Sequence, residues 1–418
     1  MKKKLVCLLT AFALAAGMAA CGGNSDAGSS APSESSQPES SAPEADAPAG
    51  TPTESESAPA PAAGQVTFKL GGTGPLTGAA AIYGTAAANG AQIAVDEINA
   101  ENGSILFELK YEDDVHDPEK AVNAYNALKD WGMQLSLGSV TSKPAEATST
   151  MNNEDRIFAL TPSASSTAVT EGKDNFFQMC FMDPNQGSAS AQYIADKKLA
   201  AKVAVIWKND DVYSKGIHDT FTAKAGELGL EVVSDTTFAD GNDTDFSVQI
   251  TDAKNNGAEL VFLPMYYQPA SLIFAQASAM GYAPKFFGVD GMDGILTMEG
   301  FDVSLAEGVM LLTPFNADSD DERTKNFVAK YQEKFGEIPN QFAADAYDCV
   351  YAFKQALEAA APAADVSNED LCAAMIAQFT SMTFNGLTGE NVTWDASGAV
   401  SKSPKGMIIQ SGAYVGLD

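Results

Sequence analysis

The chain predicts an α/β fold of two lobes, each built on a central, mostly parallel sheet, with a cleft between them. Three observations carry that expectation. From Val66 onward, short apolar runs alternate with helical patterns, the rhythm that builds parallel sheets. The rhythm restarts after Asp183-Pro184, and the strand ends then change chemistry, from hydroxyls and glycines in the first series to Tyr and Asp in the second. At 418 residues and 45% hydrophobic content, the chain is long enough for two or three domains with real cores.

Residues 1–20 read as a targeting signal. Lys2, Lys3 and Lys4 precede an apolar stretch over 5–16, and the small residues Ala19 and Ala20 lead to Cys21. This resembles a bacterial lipoprotein signal with Cys21 as the lipidated residue; the stretch is too short and too Ala-rich to read as a spanning helix. Residues 21–64 are mainly Ser, Pro, Ala, Glu and Gly, with no Lys, Arg or aromatic residue. Such a segment cannot bury enough apolar surface to offset its ordering entropy, so it is expected to be a disordered tether spanning roughly 35–40 Å.

The formal charge of −30 excludes nucleic acid and anionic membrane surface as direct partners, since both are recognised by Lys and Arg. Membrane attachment is therefore expected through the lipid alone. Of five cysteines, Cys7 lies in the signal and Cys21 at its end, leaving Cys180, Cys349 and Cys372. There is no CxxC pair, and only His116 and His218 supply imidazole, so no metal or other cofactor is expected and the three thiols read as core residues.

The first series begins with a strand over 66–70 running into Gly71-Gly72-Thr73-Gly74-Pro75-Leu76-Thr77-Gly78. These glycines match neither a P-loop nor a dinucleotide fingerprint. A helix over 84–99 follows, with Ala87, Ala91, Ala94 and Ile98 on one face. A second strand, 105–111, ends in Glu112, Asp113 and Asp114, read as a solvated acidic strand end. Asp117 then caps a helix with Pro118 in its first turn. The third strand, 133–140, ends in Thr141-Ser142-Lys143-Pro144. The fourth, 157–160, breaks at Thr161-Pro162 into Ser163, Ala164, Ser165 and Ser166, a small, hydroxylated loop suited to a carboxylate or other small anion.

The second series places a helix over 188–198, strands over 202–207, 231–237, 259–263 and 285–289, and helices between them. Its strand ends carry Asp211 to Gly216 around Tyr213, then Pro264-Met265-Tyr266-Tyr267, then Asp290-Gly291. Helices over 320–335 and 342–360 follow a strand that ends at Thr313-Pro314, and 386–418 reads as short strands and turns. A chain that leaves the first lobe and returns implies a hinge of several crossings, near Asp183, Thr313 and Phe384. The expected lobes are 65–183 with 314–384, and 184–313 with 385–418.

This ordered set of motifs resembles the extracytoplasmic solute-binding proteins of the branched-chain amino-acid transporter type. The carrying residues are Gly74 to Gly78 with Tyr83-Gly84, Tyr111 to Asp114 with Asp117-Pro118, Gly138 with Thr141-Ser142, Thr161 to Ser165, Tyr213, Tyr266-Tyr267, and Gly288 to Gly291. The resemblance implies the type I periplasmic-binding fold, two Rossmann-like lobes joined by a multi-crossing hinge.

It also implies a site. Ser142 and the backbone and hydroxyl of Ser165, within the Ser163-Ala164-Ser165 loop, would hold an α-carboxylate. The Ser163 carbonyl and the Asp290 carboxylate would hold the α-ammonium, with the Tyr266 hydroxyl nearby, and Tyr83, Tyr213 and Phe342 would wall the side-chain pocket. The family's best-known members carry a disulfide near the acidic strand end, where this chain has His116 and Thr141.

The implied function is capture of a small amino acid, aliphatic or neutral, by lobe closure. A membrane-anchored monomer outside the cytoplasm would then deliver it to an ABC permease. A sensory receptor for a related carboxylate is the alternative. A serine hydrolase using Ser163 or Ser165 would need a base at the same rim, and neither His116 nor His218 is expected there, so no enzyme activity is expected.

Overall fold

The computed structural model describes residues 64–417. The signal, Cys21 and the linker up to residue 63 lie outside the described residues.

Five strands form the first sheet: β1 (Val66–Gly74), β2 (Ile105–Asp113), β3 (Leu135–Ser139), β4 (Phe158–Thr161) and β5 (Phe176–Gln178). Their order is β2-β1-β3-β4-β5, with every pairing parallel. Strands β3, β4 and β5 are buried along their whole length, as a parallel sheet covered on both faces requires. The crossover helices are α1 (Ala81–Ala100), α2 (Pro118–Trp131) and α3 (Ser142–Glu154). Asp117 caps α2 by accepting from the Lys120 N–H at 2.9 Å, as its position before Pro118 predicts.

The second sheet holds β6 (Lys202–Lys208), β7 (Glu231–Phe238), β8 (Leu260–Leu263), β9 (Lys285–Gly288) and β10 (Met310–Thr313), all parallel, with β11 (Lys405–Gln410) and β12 (Ala413–Gly416) added antiparallel at one edge. The order is β12-β11-β10-β9-β8-β6-β7. Helices α4 (Asp183–Asp196), α5 (Val212–Leu228), α6 (Ser247–Asn255) and α7 (Tyr267–Ala279) belong to this half.

After β10 the chain returns to the first sheet through α8 (Glu322–Phe335), α9 (Gln341–Ala360) and α10 (Asn368–Phe379). Helix α9 lies so close to α1 that a Cβ on Gly90 would stand 1.9 Å from the Ala343 carbonyl oxygen, which is why only glycine fits there. The α1 face predicted from Ala87, Ala91, Ala94 and Ile98 is fully buried. Across the outer face, Glu97, Asp96 and Glu101 pair with Lys330, Lys334 and Lys354.

The structure differs from expectation in four places. Strand β5 was not anticipated, because three residues carry no readable period. Helix α10 was also missed, although Ser367, which accepts from the Asp370 N–H at 3.1 Å, is a cap signal of the kind that marks helix starts. The acidic end of β2 is not simply solvated: Asp114 has no exposed surface. Finally, part of the segment expected with the second lobe bonds to the first: Trp394 Nε1 donates to the Gln178 carbonyl, Gln178 N to the Gly398 carbonyl, and Lys402 pairs with Asp345 of α9 at 2.6 Å with both side chains buried. Only 405–416 joins the second sheet. Cys180, Cys349 and Cys372 are free and buried, as the sequence suggested.

Candidate functional site

In an open parallel sheet the strand order reverses at one point, and the loops leaving the two strands there diverge and leave a crevice. In the first sheet that point lies between β1 and β3, whose loops carry Pro75 to Ala80 and Val140 to Ser142. In the second it lies between β6 and β8, whose loops carry Asn209 to Asp211 and Pro264 to Tyr266. The two crevices face each other, and the lobes are in contact there. Tyr83 of α1 donates its hydroxyl to the Gly291 carbonyl and accepts from the Tyr267 N–H at 3.0 Å. The Tyr267 hydroxyl donates to the Ala79 carbonyl at 2.7 Å. At the rim, Asp240 lies between Lys143 of α3, at 3.7 Å, and Lys208 of β6.

Seven of the nine expected ligand residues line one cavity between the lobes: Tyr83, Ser142, Ser163, Tyr213, Tyr266, Asp290 and Phe342. Val140, Thr141 and Gly291 complete the wall. The remaining two stand one layer back. Ala164 packs with Ala145, Ala159, Val169 and Phe176, and the Ser165 N–H donates to Ser142 Oγ at 3.2 Å.

The first-lobe side of the cavity presents a hydroxyl and the start of a helix. Ser142 Oγ accepts from the backbone N–H of both Ser165 and Ser166 at 3.2 Å. With its lone pairs so engaged, the hydroxyl proton is left to donate. Ser142 is also the first residue of α3, and Thr141 before it makes no side-chain cap, because its Oγ1 is bonded to His116 Nδ1 at 2.8 Å. The opening N–H groups of α3 are thus not capped by that side chain, at the helix end where negative charge is favoured.

The second-lobe side holds Asp290, the one acid among the lining residues. Asp211 caps α5 by accepting from the Tyr213 N–H at 3.1 Å, which fixes Tyr213 in the first helical turn. The Tyr213 hydroxyl then donates to Asp290 Oδ1 at 2.6 Å and accepts from the Gly291 N–H at 3.0 Å. A side chain on Gly291 would meet that hydroxyl at 2.6 Å, so the position needs glycine. Burial pushes the Asp290 carboxyl up to about 6, against the Tyr213 hydroxyl and the Gln186 side chain, which favour the ionised form.

Some contributors carried no sequence signal. Gln186 accepts from the Asp290 N–H at 3.3 Å, and Gln341 Nε2 donates to the Asp290 carbonyl at 2.9 Å while its own N–H donates to Asp293 at 2.9 Å. These residues lie far from Asp290 in the chain and meet it only in the fold. Asp183, at the crossing between lobes, is 1% exposed, and burial holds its carboxyl well above the usual range.

The expectation about the histidines needs correction, for His116 does stand at this rim. Its ring is bonded to Thr141 and lies edge-on to Tyr266 at 5.2 Å. Burial, with Lys208 and Lys143 nearby, lowers it to about 4. Its Nδ1 is committed to a threonine hydroxyl and not to a serine of the Ser163 to Ser166 loop. His218 lies elsewhere, stacked on Trp207 and bonded to Asp219 and Asp235. Among the described residues, no group of His, Cys, Asp and Glu is arranged to hold a metal ion.

A profile of the periplasmic binding protein family matches residues 67–408. The Leu/Ile/Val-binding protein homolog 3 of Brucella melitensis biotype 1 is 32% identical over 227 residues, 53% of this chain; the match spans only 61% of that relative's length. The leucine-, isoleucine-, valine-, threonine- and alanine-binding protein of Pseudomonas aeruginosa is 27% identical over 302 residues, covering 71% of this chain and 79% of the relative. Among solved structures, the branched-chain amino acid transporter substrate-binding protein LivJ of Streptococcus pneumoniae, in complex with isoleucine, superposes with a TM-score of 0.74 at 28% identity, over 84% of this chain and 99% of that one.

Proposed function

The chain belongs to the periplasmic binding protein family, and on that footing we propose that it captures a small neutral amino acid between its lobes and presents the closed form to an ABC permease. One observation carries the reading: a single cavity has a hydroxyl and a helix start without a Thr141 side-chain cap on one lobe and one carboxylate on the other. An amino acid has two charges of opposite sign a few ångströms apart. Taking either out of water costs several kcal/mol unless it is paired, so a dry cleft that offers one partner for each selects the zwitterion.

Closure follows from the same division. A ligand bonded to Ser142 and Asp290 at once has more contacts in the closed state than in the open one, and the difference in affinity shifts the hinge. The site binds and does no chemistry on its ligand. The relatives named above are binding proteins, and the family works outside the cytoplasm. In this reading Cys21 carries the lipid, and the linker to residue 63 leashes the lobes to the membrane. Among the described residues, no helix is long and apolar enough to cross one.

A thermal-shift screen of amino acids, small aromatic carboxylates and sugars tests the proposal. Neutral amino acids are expected to raise the unfolding temperature, and Asp290→Ala to abolish that rise with the ligand-free fold intact. A rise with benzoate or a sugar and none with any amino acid would overturn the reading.

A further inference from the structure

The turn after β2 holds two consecutive non-glycine residues in the left-handed region, Val115 at φ 52° and His116 at φ 59°. For a β-branched residue that conformation is a true outlier, kept only where surrounding contacts over-determine it. Those contacts are supplied by the acidic strand end. Asp113 Oδ1 accepts from the Val115 N–H and Asp114 Oδ1 from the His116 N–H, each at 2.9 Å, and the Asp117 N–H donates to the Asp114 carbonyl at 2.8 Å. The strained turn delivers the His116 ring to the edge of the cleft, where it is tied to Thr141 of its own lobe and abuts Tyr266 of the other.

Four aromatic side chains wall the cavity, and three are held by bonds or tight packing. Tyr83 has both hydroxyl roles filled, Tyr213 is bonded to Asp290 and Gly291, and Phe342 packs edge-on to Tyr83 at 4.6 Å from the first turn of α9. Tyr266 differs: among the described residues its ring contacts hold it. It is stacked on Tyr213 at 4.7 Å with 12° between the planes, lies against Tyr83 at 5.5 Å, and meets the His116 ring edge-on at 5.2 Å. The cavity these rings enclose measures about 10 Å³, roughly the room for one water.

That is too small for any amino acid, so this closed form can hold one only by displacing a wall. Among the described residues Tyr266 is the one tyrosine of the wall whose hydroxyl has no hydrogen bond, and the His116 ring abuts it edge-on. We propose that His116 is a positioning residue that clamps Tyr266 over the cleft and so restricts the site to amino acids with the smallest side chains, glycine, alanine and serine, against leucine or phenylalanine. The proposal rests on the amino-acid reading above. Neutral at physiological pH, the imidazole packs against the tyrosine ring without adding charge to the site.

The test is calorimetric titration of the mature chain with glycine, alanine, serine, leucine and phenylalanine, in the wild type and in His116→Gly. Glycine adopts φ 59° without strain, so this change removes the ring and spares the backbone. The wild type is expected to bind alanine at least about tenfold more tightly than leucine, and His116→Gly to shrink or invert that ratio by a similar factor with the ligand-free unfolding midpoint held. A purely structural role for His116 would instead lower the midpoint and weaken all ligands alike. If His116→Gly does not fold, Tyr266→Ala carries the same expectation for the ratio. Equal affinity for alanine and leucine in the wild type, or an unchanged ratio in a folded variant, would overturn the proposal while leaving amino-acid capture standing; binding of no amino acid at all would remove both.

Discussion

Asp290 illustrates how one carboxylate is made useful by its neighbours. Alone in a buried position it would hold its proton. The Tyr213 hydroxyl, the Gln186 side chain and the Gly291 N–H favour the ionised form, and the balance leaves it near 6. An ammonium ligand pairs only with the carboxylate, so a proton on Asp290 competes with the ligand. Affinity for a neutral amino acid is therefore expected to be level above about pH 6 and to fall on acidification below it, by up to about tenfold per pH unit. Calorimetric titration between pH 5 and pH 8 would show this, and an affinity that rises on acidification would contradict it. The sequence marks Asp290 only as an Asp-Gly at a strand end, and its place in the site was an expectation drawn from the family resemblance. Gln186 and Gln341 were not legible there, since neither residue type nor spacing marks a side chain whose partner is about a hundred or about fifty residues away.

Among the elements, the segment between α10 and β11 has the least regular structure and one of the most specific attachments. Lys402 reaches Asp345 of α9 in a fully buried pair, and Thr388 bonds both Lys402 and Asp348. A buried pair is weak evidence for net stability, but breaking it leaves an uncompensated charge. Lys402→Met is expected to lower unfolding stability by about 3–5 kcal/mol near pH 7, measured by denaturant titration. Burial already raises Asp345 to about 6, so the loss should shrink below that pH, where the stranded carboxyl takes a proton. A change under about 0.5 kcal/mol, the range of ordinary surface substitutions, would show the pair to be structurally idle. The long strands and, apart from α10, the helices were readable from periodicity and caps. This segment was not, because its contacts are single side chains reaching across the fold.

At the scale of the whole molecule, several aspartates are buried among the described residues. Asp114 is raised to about 7 and Asp211, Asp290, Asp293 and Asp345 to about 6, and Asp183 is also held well above the usual range, in each case chiefly by burial. Between the ordinary carboxylate range and these values the folded chain holds more protons than the unfolded one, so stability should rise as pH falls from 7 toward 5. His116, lowered to about 4, opposes this by a single proton. Below about pH 4 the paired carboxylates whose values are depressed, Glu97, Asp174 and Asp240 among them, lose their contribution and stability should drop. Thermal unfolding of the ligand-free protein from pH 3.5 to 8 should therefore peak on the acid side of neutrality; a maximum above pH 7 would rule this out. Acid is thus expected to stabilise the fold and weaken the grip on the ligand.

Periodicity, caps and strand-end chemistry were enough to specify two mostly parallel α/β sheets with loops of distinct chemistry at their strand ends, whereas the strand orders and their reversal points came from the structure. A strand's burial and a helix's cap depend on residues a few positions apart, so both are written in the order of the chain. Closure of the cleft is not. That Tyr83 bonds to Gly291 and that His116 abuts Tyr266 both depend on side chains from different lobes meeting at hydrogen-bond or ring-contact distance. Such encounters are set by the hinge and by packing, which no local pattern encodes.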